Sequence, residues 1–79
     1  MTVEYAGKNY HLAFTTYSRP WDIVVKEYYV FECDMSDHNC SMIFEEPADR
    51  TFPAKISVSD NKLMYQRDTV NYQILPKVN

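Results

Sequence analysis

The sequence predicts a mainly β protein, a small single-domain antiparallel sheet folded as a barrel or sandwich of about six short strands. Three observations predict it. Apolar and polar residues alternate with period two over several short stretches, β-branched and aromatic residues fill those stretches, and turn-forming residues separate them. The rival is an α+β sheet carrying one short helix near 19–27. A chain of 79 residues, 46% hydrophobic and 15% aromatic, suits one compact domain over 1–79. Domains of this size bury only about 60% of the surface their unfolded chain exposes. A homo-oligomer is therefore compatible with the composition.

In VEYAGKNYHL, placing Gly7 and Lys8 in a two-residue turn pairs Tyr5 with Tyr10, Val3 with Leu12 and Glu4 with His11. Val3, Tyr5, Tyr10, Leu12 and Phe14 then share one face. DIVVKEYYVFEC follows, and its odd positions Ile23, Val25, Tyr29, Phe31 and Cys33 form a mostly apolar face that only Glu27 interrupts. Helical spacing of Trp21, Val24, Val25, Tyr28 and Phe31, with Ser18 and Pro20 ahead of them, supports the rival helix. SMIFEE reads as a short strand and EPADR as a turn or loop. TFPAKISVS alternates with Phe52, Ala54, Ile56 and Val58 on one side, and Pro53 marks an edge strand or a strand start. SDNK supplies a turn, after which LMYQ and TVNYQIL form one broken strand or two short ones, the break at Arg67 and Asp68.

FECDMSDHNCSMIFEE carries the candidate chemistry. Cys33, His38 and Cys40 have the spacing C-x4-H-x-C, and His11 would complete a four-ligand zinc set, although the spacing matches no usual ligand knuckle. A disulfide between Cys33 and Cys40 across a hairpin suits an oxidising medium. The favoured reading takes Cys33 as a buried small hydrophobe and Cys40 as a loop thiol, because MTVEYAGKNY lacks the basic start and apolar run of a secretory signal. A cytoplasmic location is accordingly expected, in the host cytoplasm if the chain is phage-encoded. Asp34, Ser36 and Glu45 approximate a calcium loop, but His38 and Asn39 stand where it needs an acid or amide and then glycine. No Gly-rich phosphate loop, G-x-S-x-G or H-E-x-x-H occurs, so a non-enzymatic role is expected, with no cofactor unless the zinc alternative holds.

Charge is the strongest asymmetry. Residues 27–49 hold Glu27, Glu32, Asp34, Asp37, Glu45, Glu46 and Asp49 with no lysine or arginine, a charge of −7 against +4 for the remainder. Glu32, Asp34, Met35, Asp37, Glu45 and Glu46 are therefore the expected contact residues of an acidic surface, with Met35 as an apolar anchor. The expected partner is a protein with a basic or nucleic-acid-binding surface, against which the carboxylates would imitate DNA phosphates. No membrane and no direct nucleic-acid contact are expected. A metal-stabilised or redox-sensitive module on Cys33, His38 and Cys40 is the alternative. A small barrel stacking single-stranded nucleic acid on its seven tyrosines comes third, opposed by the net charge of −3. In size, acidity and lack of catalytic signature the chain resembles small accessory proteins of bacteriophages that inhibit or redirect host machinery.

Overall fold

The computed structural model describes residues 1–47, 53–67 and 69–78. Seven antiparallel strands form among them: β1 (Thr2–Tyr5), β2 (Lys8–Arg19), β3 (Asp22–Cys33), β4 (Cys40–Pro47), β5 (Ala54–Ser59), β6 (Lys62–Arg67) and β7 (Val70–Leu75). They make two sheets, β1-β2-β3-β4 and β5-β6-β7, which do not close into a barrel. The mainly β expectation is met. Tyr10, Val25, Tyr28 and Val30 of the first sheet meet Ile56, Leu63, Tyr65 and Ile74 of the second in one core.

The rival helix near 19–27 is replaced by the β2–β3 hairpin, in which Arg19 faces Asp22 across Pro20 and Trp21. Ile23, Val24 and Val25 are branched at Cβ, and antiparallel pairing with Ser18, Tyr17 and Thr16 gives them a strand environment. The first hairpin turns one residue earlier than expected. Ala6 and Gly7 occupy its loop at φ 51° and 77°, the two positive values that a type I′ turn requires. Val3 consequently faces Tyr10, Glu4 faces Asn9 and Thr2 faces His11, which replaces the expected Tyr5–Tyr10, Val3–Leu12 and Glu4–His11 pairs. This register shift preserves parity, so Val3, Tyr5 and Leu12 still pack on the core beside Tyr10. It also lets the Tyr5 hydroxyl donate to the Asn61 carbonyl at 2.7 Å, tying one sheet to the other.

The odd-position face expected for β3 does not hold along its length. Pairing passes from Thr15–Glu27 to Thr16–Val25, leaving Lys26 as an extra residue, and such a bulge reverses the side-chain phase. Val25, Tyr28 and Val30 therefore point inward, while Ile23 is exposed and Glu27 lies on the outer face with Tyr29. A second bulge at Ile43 does the same to β4 between Phe44 and Met42. SDNK forms the expected turn, with Asp60 and Asn61 both at positive φ. Glu46 and Pro47 of EPADR belong to β4, and the remainder of that turn lies outside the described residues. Strand β5 is an edge strand as expected, with Ile56 inward.

Candidate functional site

Cys33 ends β3 directly opposite Cys40 at the start of β4, and the two form a disulfide with Cα atoms 4.1 Å apart. The expectation of free thiols is corrected. Cross-strand neighbours bring the two Cβ atoms within bonding reach, a proximity that a spacing of seven residues does not itself reveal. Of the expected Cys33, His38, Cys40 and His11 metal set, the two sulfurs are bonded to each other here. Among the described residues, the ligand-type atoms brought together are those of His11, Cys33 and Asp37, all within 4.8 Å of one another, and His38 is outside that group.

Asp34 builds the loop that the disulfide closes. Its Oδ1 accepts from the Ser36 hydroxyl at 2.8 Å and the His38 amide at 2.9 Å, and its Oδ2 accepts from Asn39 Nδ2 at 2.8 Å. These bonds, to Asn39 and Ser36 first, favour the charged carboxylate and lower its pKa to about 2. Asp37, at φ 60°, accepts from Asn9 Nδ2 at 3.3 Å and pairs with His11 Nε2 at 3.0 Å. The His11 and Asn9 bonds hold its pKa low. They also draw the loop over the outer face of the first sheet, where Cys33 is 2% exposed. Met35 is left projecting, 53% exposed.

The other carboxylates are dispersed. Glu32 faces inward, accepting from the Tyr10 hydroxyl at 2.8 Å and Lys8 Nζ at 3.1 Å, and these partners lower its pKa. Glu46 accepts from Arg67 Nε at 2.7 Å and also pairs with Arg67 Nη2, an inter-sheet bridge whose Glu46 side chain is only 13% exposed. Neither the nearby Tyr65 hydroxyl nor Glu46 Oε2 makes a hydrogen bond of normal geometry; burial, then the Glu46 charge, raises the Tyr65 pKa. Glu45 is exposed on the outer side opposite Tyr29. Glu45 and Glu46 stand five and six positions beyond Cys40, roughly 16–20 Å along β4. The six expected contact residues thus form no single patch. Asp34, Met35 and Asp37 share the loop, Glu32 sits beneath it, and Glu45 and Glu46 lie at the other end of the strand. Asp49 lies outside the described residues.

Sequence reasoning passed over a second surface. Among the described residues, ladder pairing of β1 with β2 stops at His11 and that of β4 with β3 at Glu27, which leaves the far half of the β2–β3 hairpin as a two-stranded arm in which Val24 and Val25 are nonetheless buried. Residues 14–23 are all exposed, among them Phe14, Tyr17, Trp21 and Ile23, with Trp21 at 74%. Arg19 forms a bidentate pair with Asp22 at 2.7 and 2.6 Å and lies 5.4 Å from the Trp21 ring centre, which fixes the tip and neutralises its charge. At the arm's base an apolar groove of about 440 Å³ is lined by Met1, Leu12, Phe14, Val25, Tyr28, Pro53 and Ala54. The usable sequence signal was the failure of Trp21 and Ile23 to find cross-strand apolar partners. Of the seven tyrosines, Tyr10, Tyr28 and Tyr65 are interior, which removes them from any base-stacking platform.

Compared with protein-family models, curated proteins and solved structures, the chain matches none.

Proposed function

We propose that the chain is a non-enzymatic protein-binding module, an adaptor or inhibitor, that engages its partner through the β2–β3 arm. The observation that carries this is the run of ten exposed residues 14–23 bearing Phe14, Tyr17, Trp21 and Ile23. Phe14 and Tyr17 stand three positions apart on β2 and so present aromatic surface on opposite faces of the hairpin, with Trp21 at its tip. Tryptophan, tyrosine and arginine are the residues that dominate binding energy at interfaces. The partner is a protein with an apolar cleft that accepts an indole.

The acidic-surface reading continues in a narrower form as a second contact, because Met35 projects from a loop whose backbone Asp34 holds in place. A preformed loop loses little entropy on docking. Glu32, Asp34 and Asp37 near it outweigh Lys8, which favours a basic partner surface. DNA mimicry is less well supported, since a phosphate-like row needs free carboxylates on one face.

Capture of a partner by immobilised protein tests the proposal, using Trp21→Ala and Tyr17→Ala beside Met35→Ala and Glu45→Lys. The arm variants are expected to weaken binding at least about 30-fold, the scale of a hot-spot residue, without altering melting temperature. Capture undiminished by Trp21→Ala but lost with Met35→Ala would transfer the role to the loop. Capture unaffected by all four would overturn both readings. Sedimentation of the free protein shows whether the arm instead binds a second copy.

A further inference from the structure

We propose that reduction of the Cys33–Cys40 disulfide creates a site for a zinc-class divalent cation, held by both cysteine thiolates, His11 Nε2 and an Asp37 carboxylate oxygen. Three of these groups are already gathered, with ligand atoms within 4.8 Å of one another, and the fourth sulfur is bonded to the first. Four donors around zinc, with bonds of about 2.0–2.3 Å, lie roughly 3.3–3.8 Å apart. Side-chain rotation therefore converts the cluster into a tetrahedral set while β2, β3 and β4 stay paired.

The surroundings favour such a site. His11 Nδ1 lies 2.8 Å from the Thr2 hydroxyl, which fixes the ring while Nε2 faces Asp37 at 3.0 Å. Histidine ligands characteristically have their second nitrogen held in this way. Cys33 is almost completely buried, whereas Asp37 is exposed, so the cluster has a sheltered sulfur and an open side for entry. In the oxidised protein the sulfurs carry no charge and are poor donors. A dithiol reductant supplies two electrons and two protons, the S–S bond breaks, and the reductant leaves as its own disulfide. Metal binding then displaces one proton from each thiol. Sequence spacing alone favours His38 as the ligand between the cysteines. The residue that reaches His11 is Asp37, one position earlier.

Cobalt(II) titration of the full chain tests the site, once with the disulfide intact and once after phosphine reduction. The expected result is thiolate-to-cobalt charge-transfer absorption with one-to-one stoichiometry in the reduced protein only, abolished by zinc. His11→Ala and Asp37→Asn are each expected to weaken binding at least about tenfold, and His38→Ala to leave it unchanged. Absence of the band after reduction overturns the proposal, provided circular dichroism shows the sheet retained. If the reduced sheet is lost, zinc must restore it; failure to do so also overturns the proposal. So does equal affinity before and after reduction, or a band insensitive to His11→Ala and Asp37→Asn.

Discussion

Asp34 uses both carboxylate oxygens to hold its own loop, which makes loop order depend on its charge. Its folded pKa, about 2, is below the ordinary value of 3.8. The bound, charged form thus supports the loop fully above pH 3.8, and the contribution disappears as pH falls toward 2. Protection of the His38 amide, taken as its exchange rate relative to the intrinsic rate at each pH, should fall across that window, whereas protection of the central-strand amides should not; undiminished His38 protection at pH 2 would refute the assignment. Glu46 and Glu45 are neighbours with opposite roles. Removing Glu46 leaves the Arg67 guanidinium half-buried without its partner, so Glu46→Ala is expected to cost about 2 kcal/mol. Glu45→Ala should stay within about 0.5 kcal/mol, and urea denaturation of the two variants compares them directly. Charge alone grouped these acids in the sequence. Their partners Tyr10, Asn9, His11 and Arg67 are remote in the chain, and only the fold brings them together.

At the scale of elements, local chemistry located most strands and turns, because alternation and turn residues act over a few positions. It failed where tertiary contacts overrule local preference. Ala6 accepts φ 51°, a conformation that costs an L-residue about 1 kcal/mol or more, because the resulting register lets Tyr5 reach Asn61. Asparagine tolerates this backbone and leads the favoured two-residue turns. Ala6→Asn should therefore raise stability by about 0.5–1 kcal/mol, read as a higher urea midpoint at unchanged slope. A lower midpoint would mean that Ala6 is not in the left-handed region. The bulge at Lys26 was equally hidden. One extra residue exchanges inner and outer faces, so strict alternation assigned Tyr29 and Phe31 to the face that Tyr28 and Val30 occupy.

On the scale of the whole molecule, the two sheets are separate ladders but share one core, and neither has an apolar interior without the other. The molecule extends 43 Å along its longest axis, with a Cα radius of gyration of 13.4 Å against about 12 Å expected for a compact chain of this length. Total stability for a chain of this size is on the order of 4–12 kcal/mol. Leu63 is completely buried at the centre of the shared core, and truncating such a residue costs about 2–5 kcal/mol. Leu63→Ala thus removes a large fraction of the whole. Because Val30 and Tyr28 lose packing together with Tyr65 and Ile56, both sheets should melt in one transition at a lower temperature. Amide exchange resolved by strand distinguishes this from independent sheets. Equal loss of protection in β3 and β6 is expected, whereas protection retained in β3 while β6 exchanges freely would show that the four-stranded sheet stands without its partner.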